Sequence, residues 1–210
     1  MKKFILPLAL TLALASTGYA EDIQTEAIDS LSTARTFVEK GKYNKAIEEI
    51  NYALAKINEL TASGLIKFIP DPPSGFTLDN KQSQGSGTGA SIAGSAGASA
   101  AYSDAKGSHL NLNIAIGGIT GKMGSLAALG QMFAGMAQQQ GGGGGEQTRQ
   151  IRVKGYTGTE IFNNQNRSGT LSFQVGDKTS VTIEGTDIDS PDILKQLAKN
   201  MDFASLEENY

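Results

Sequence analysis

Three prolines within four positions, Pro70, Pro72 and Pro73 in the stretch FIPDPPSGFT, divide this chain more sharply than any other feature. Each proline fixes its own φ, removes a backbone N–H and pushes the preceding residue out of the helical region, so no helix runs through this point. Helical periodicity lies before the boundary and strand periodicity after it.

On the N-terminal side, apolar or small residues recur three or four apart at Ile23, Ala27, Leu31, Ala34 and Val38, which sets them on one helix face. Gly41, preceded by Lys40, marks the end of that helix, because glycine closes a helix in the left-handed conformation at little cost. A second helical pattern carries Ala46, Ile47, Ile50, Ala53, Leu54, Ile57 and Leu60. Residues 21–67 are therefore expected to form an antiparallel helical hairpin. Its turn, GKYNKAIEEINYAL, resembles that of a tetratricopeptide repeat, with Gly41, Tyr43, Ala46, Ile47, Ala53 and Leu54 at the repeat's small and apolar packing positions. Only one copy is present, and a single repeat does not bury its own face. The resemblance thus implies a hairpin packed on the rest of the protein or on a partner.

Beyond the prolines, Lys81 to Ala101 is mostly Gly, Ser and Ala, with little bulky apolar surface to offset the entropy of ordering it. Residues 68–100 are read as a linker, first proline-rich and then Gly/Ser/Ala-rich, with an edge strand only near Ala98. Residues 101–210 read as a sheet domain. Leu110, Leu112, Ile114 and Ile116 alternate with Asn111, Asn113, Ala115 and Gly117, the period of a strand with one buried face. A hairpin turn is expected around Lys106 and Gly107, with further strands at 150–154, 159–163, 170–175 and 180–184. Ser190-Pro191-Asp192 opens a final helix: serine caps, proline suits the first turn, and aspartate favours the positive end. The expected fold class is α+β, an N-terminal helical hairpin followed by an antiparallel sheet covered by helices.

The first twenty residues read as a secretory signal peptide. Lys2 and Lys3 precede an apolar run from Phe4 to Ala15 and the small-residue ending Gly18-Tyr19-Ala20. The run is shorter than the roughly 20 residues a spanning helix needs, so cleavage near Ala20 and a periplasmic or secreted destination are expected. No cysteine is present for lipid attachment or disulfides, which leaves stability to burial. After cleavage the chain would carry 16 basic against 21 acidic residues, a balance that argues against nucleic acid as a partner.

One stretch invites a nucleotide reading. In IAIGGITGKMGSLAALG, Gly121-Lys122 follows a strand and precedes a helical pattern. A phosphate loop needs glycine, four residues, and then Gly-Lys with a hydroxyl residue. Here Ile116 holds the first glycine position and Met123 replaces the hydroxyl, so no nucleotide is expected. The helix beyond, from Met123 to about Gln139, carries an uncharged stripe of Leu126, Leu129, Phe133 and Met136, the candidate interaction residues. Its ordinary role is to cover a sheet face, with roughly 1.5 to 3 kcal/mol from each large side chain buried. The alternative is a membrane-surface contact, although the apolar part spans only about 22 Å against a hydrocarbon layer of about 30 Å. Gly141 to Gly145 form a glycine-rich loop.

Catalytic and metal chemistry find few residues. His109 is the only histidine, and its neighbours Asp104 and Ser108 fit a polar hairpin turn better than a triad assembled across a fold. One histidine and no cysteine leave zinc without its preferred ligands. Glu184, Asp187, Asp189 and Asp192 are the calcium candidates, although they lack the spacing and internal glycine of an EF-hand. No cofactor and no catalytic residue are expected.

The signal peptide, GKYNKAIEEINYALAKI, IPDPPSGFT and the ending KNMDFASLEE together resemble a group of exported bacterial proteins of unknown function. In that group a Leu-Pro-x-Pro-Pro-x-Gly-Trp type segment joins a helical hairpin to a small α+β domain. Phe76 stands here where tryptophan is usual, and the glycine-rich segments are expanded. The strand and helix order of the second half is similar to the PsbP and Mog1 type sandwich, a fold used mainly for binding. The resemblance implies no activity. The expectation is a non-catalytic binding or adaptor protein of the cell envelope with an envelope protein as partner; the alternatives are a membrane-surface protein using residues 123–137 and a hydrolase whose residues escape notice.

Overall fold

The computed structural model describes residues 15–85, 95–117 and 146–210. Gly121, Lys122, the stripe of Leu126, Leu129, Phe133 and Met136, and the glycine-rich loop 141–145 lie outside the described residues. The chain divides into two compact units, Met1–Leu60 and Thr61–Tyr210.

The first unit is a helical hairpin. Helix α1 (Ala15–Glu39) ends where Gly41 adopts a φ of 68°. The Gly41 amide donates to the Val38 carbonyl and the Lys42 amide to the Phe37 carbonyl, the paired bonds that close a helix through a left-handed glycine. Helix α2 (Tyr43–Leu65) starts at once, and its continuation ends in a 3-10 turn, Ile66–Phe68, just before the proline boundary.

The second unit is built on a seven-stranded sheet: β1 (Phe76–Gln84), β2 (Ser95–Asp104), β3 (His109–Gly117), β4 (Glu146–Val153), β5 (Tyr156–Asn163), β6 (Ser168–Val175) and β7 (Thr179–Thr186). The order is β1-β2-β3-β7-β6-β5-β4 and every pair is antiparallel. Two meanders meet where β3 pairs with β7, which leaves β1 and β4 at the edges. Two helices follow, α3 (Asp192–Asn200) and α4 (Phe203–Asn209).

Alternation fixes the two faces. Tyr102, Leu110, Leu112, Ile114, Leu171, Phe173, Val181 and Ile183 lie on one face and join Leu194 and Leu197 of α3 and Phe203 and Leu206 of α4 in a single core. Tyr156 and Phe173 pack against Phe203 at a tilt, with ring centroids 5.2 and 5.0 Å from it. Buried Tyr102 donates its hydroxyl to the Pro70 carbonyl at 2.9 Å, which ties the proline stretch to β2.

The expected linker, residues 68–100, is corrected by this sheet: β1 occupies 76–84 and β2 begins at 95. The physical reason is pairing. Ala96, Ala98, Ala100 and Tyr102 alternate with Gly97, Ser99, Ala101 and Ser103, so the Gly/Ser/Ala stretch has strand periodicity carried by alanine. The alanines at 96, 98 and 100 are buried, and β2 is hydrogen-bonded on both sides, to β1 and β3. Ladder hydrogen bonds supply what the small side chains do not. At the sheet edge β1 is exposed and polar, with Lys81 in a position that discourages further strand pairing.

Candidate functional site

The hairpin has an unusual division of residues. In α1 the buried positions are Ile23, Ala27, Ser30 and Ala34, four, three and four apart. In α2 Ala46 and Ala53, seven apart, are buried, followed by Asn58, Ala62 and Leu65 toward the end of the helix. Apart from Ile23, the buried positions of α1 and those of α2 up to Ala53 are thus small residues, mainly alanine, and most of the bulky residues lie elsewhere. Leu31 and Val38, which share the apolar face of α1 in the sequence pattern, are 46% and 49% exposed. Ile47, Ile50, Leu54 and Ile57 of the second helical pattern are 54%, 46%, 40% and 42% exposed. Ile28 and Tyr43 are also exposed large apolar residues.

These eight side chains share one side of the hairpin. At about 100° per residue, Ile28, Leu31 and Val38 lie roughly 50 to 130° round α1 from its seam. On α2, Tyr43, Ile47, Ile50, Leu54 and Ile57 lie roughly 30 to 110° round from Ala46 and Ala53. The helices run antiparallel, so equal rotations in the same sense reach the same flank. The opposite flank is polar. There Tyr52 donates its hydroxyl to Glu26 at 2.8 Å and Lys56 pairs with Glu26 at 2.8 Å. The Lys56 ammonium, and after it the Tyr52 hydroxyl, hold the Glu26 carboxyl below the usual range.

Hydrophobic periodicity alone merges two stripes into one. What separates them is residue size: Ala46 and Ala53 form the inner stripe of α2, and the larger residues at 43, 47, 50, 54 and 57 form a second stripe. That signal is present in the sequence once alanine and isoleucine are treated as different kinds of packing residue.

The face of the sheet away from the helices is polar. A continuous row crosses all seven strands through Gln82, Ser99, Asn113, Thr182, Ser172, Thr159 and Gln150. A shallow hollow of about 380 Å3 lies over it, with Asn80, Asn111 and Glu184 beside the row. On the helix side, Glu160 is the one charged side chain buried among the described residues. Half-exposed Arg149 on β4 bonds its Oε1, and Lys195 of α3 lies 3.5 Å from Oε2. Lys195 also pairs with Asp192 at 2.5 Å, and this pairing leads the lowering of the Asp192 pKa. Two cations and two carboxylates thus neutralise one another where α3 begins over the β4–β5 edge.

The four calcium candidates are not brought together. Glu184 sits on β7 with Asn111 and Thr170 as its cross-strand neighbours. Asp187, at a φ of 56°, uses its carbonyl to accept from Ser108 Oγ and Arg167 Nη2. Asp189 pairs with Arg167 at 2.9 Å and Asp192 with Lys195. Among the described residues no three His, Cys, Asp or Glu side chains form a metal-sized group.

Asp104, Ser108 and His109 occupy the β2–β3 turn. The Asp104 carboxylate accepts the amide hydrogens of Lys106 and Ser108, both at 2.8 Å, and the Ser108 bond leads the lowering of its pKa. Ser108 Oγ donates to Asp187, and His109 is exposed at the start of β3. The three residues therefore belong to a fastened corner. At the start of α3, Ser190 Oγ accepts the Asp192 amide hydrogen at 3.2 Å. No helix among the described residues is long and apolar enough to cross a membrane. No family model matches the chain, and neither a comparison with curated proteins nor one with solved structures returns a match.

Proposed function

We propose that this chain is a non-catalytic binding or adaptor protein of the cell envelope, exported behind its leader and docking on another polypeptide through the outer face of α1 and α2. The observation that carries the proposal is the side-by-side exposure of Ile28, Leu31, Val38, Tyr43, Ile47, Ile50, Leu54 and Ile57. Each is about half exposed. At roughly 200 Å2 for a fully exposed side chain of this size, the face offers on the order of 800 Å2 of mainly apolar surface. The largest apolar patch on an ordinary monomer is about 300 to 600 Å2, whereas one side of a standard protein interface covers about 800 Å2. The run of Lys2, Lys3 and apolar residues before Ala20 supports export.

The polar groups that invite a catalytic reading have structural partners. Asp104 and Ser108 are engaged in the β2–β3 corner, and Glu160 lies between Arg149 and Lys195. The test is photocrosslinking in intact cells. A photoreactive phenylalanine derivative at position 47 or 54 is expected to form protein adducts, whereas the same group at Thr33 or Glu48, both exposed and away from the apolar face, is not. Equal yields from both pairs of positions, or none from either, refute the proposal.

A further inference from the structure

We infer that the occupant of the hairpin's apolar face is a second copy of this chain, laid antiparallel so that the turn of one hairpin covers the open end of the other. The inference rests on reading that face as a docking surface and names what docks there. Tyr43, Ile47, Ile50, Leu54 and Ile57 are spaced four, three, four and three apart, the heptad seam by which one helix packs along another. The seam on the alanine side of α2 is already used within the hairpin, so this one faces outward and calls for a helical partner. The spacing is close to symmetric about Ile50, with Tyr43 and Ile57 each seven residues away. Reversing the helix about Ile50 returns nearly the same apolar pattern, which is the self-complementarity a two-fold interface requires.

Area and charge both favour a second copy. The face matches one side of a standard interface of about 800 Å2 per partner, so two copies cover each other without further surface. At the open end Glu21, Asp22, Glu26, Asp29 and Glu59 outnumber Lys56, which pairs with Glu26 on the polar flank. Around the turn, Arg35, Lys40, Lys42 and Lys45 outnumber Glu39. Turn over turn would set the basic ends together and the acidic ends together. Turn over open end sets each basic end against an acidic one, the arrangement that complementary fields select.

Light scattering on the purified chain at tens of micromolar is expected to give twice the monomer mass. The double variant Ile47→Glu with Ile50→Glu is expected to give the monomer mass with unchanged helical circular dichroism. The chain has no cysteine, so single substitutions report the register. On oxidation Ile50→Cys is expected to crosslink to itself. A mixture of Tyr43→Cys and Ile57→Cys is expected to crosslink to each other roughly tenfold more than Tyr43→Cys does to itself, given the short reach of a disulfide. A monomer mass for the unaltered chain overturns the second copy, as does a dimer that survives the double glutamate variant. Preferential self-crosslinking of Tyr43→Cys overturns the antiparallel arrangement. If the chain is monomeric but positions 47 and 54 still yield adducts to a different protein in cells, only the second copy falls. If they yield none, the docking surface falls with it.

Discussion

At the scale of single residues, the most exposed test of the energetics is Glu160. Its carboxylate is buried under the start of α3, held by Arg149 and Lys195, both of which reach solvent. Removing one partner of a fully buried pair costs about 3 to 5 kcal/mol, and solvation of the two cations reduces that here to about 1 to 3 kcal/mol for Glu160→Gln. The expected result is a lower urea midpoint with an unchanged slope. A midpoint equal to that of the unaltered chain would show that Arg149 and Lys195 need no buried anion. Several carboxyls also make the stability depend on pH. Glu26 is held low first by Lys56, Asp104 by the Ser108 amide, Asp192 by Lys195 and Asp202 by Ser205. A carboxyl with a depressed folded pKa stabilises the fold above the ordinary carboxylate range, and the contribution disappears as pH falls through that range and below it. At the alkaline end, burial first and the Asp71 charge second raise the Tyr102 pKa. The unfolded chain ionises that tyrosine earlier, so stability declines above about pH 10. Thermal midpoints are expected to be level between these limits and to drop below about pH 4 and above about pH 10.

At the scale of elements, the hairpin seam and its outer face make opposite predictions. Ala53 is fully buried, and Ala53→Leu forces extra carbons into a site with no exposed surface at a cost of about 1 to 3 kcal/mol. Thermal unfolding followed by helical circular dichroism is expected to show an earlier transition for that variant. An unchanged transition would mean that the seam is loose. The elements themselves are largely legible in the sequence. Gly41 announces the helix turn, the Leu110 to Ile116 alternation announces β3, and Ser190-Pro191-Asp192 announces α3, because each is a local rule read from adjacent residues. Strand β2 is harder to see. Its alternating alanines give little periodic contrast, and its order comes from ladders to β1 and β3, which are distant pairings that composition does not display. The hairpin face is hidden for a related reason. A helix with a small-residue stripe and a large-residue stripe has two apolar sides, and hydrophobic periodicity alone does not say which side faces in.

At the scale of the whole molecule, two compact units carry different surfaces. Thr61–Tyr210 closes a core between one sheet face and its helices and leaves the other face as rows of hydroxyl and amide side chains. The helical unit instead leaves most of its bulky aliphatic residues exposed and, Ile23 apart, buries mainly alanine. That inversion costs solubility unless the face is covered, which is why the chain is read as a protein that works through association. The most direct measurement is the alkylation rate of single cysteines in intact cells. With no other thiol in the chain, Ile50→Cys and Leu54→Cys report coverage of the face, and Thr33→Cys and Glu48→Cys report exposed positions away from it. Positions 50 and 54 are expected to react at least about tenfold more slowly than 33 and 48, with the difference abolished by denaturant. Equal rates at all four positions before denaturation would mean that the apolar face stands bare, and would contradict its coverage by a partner.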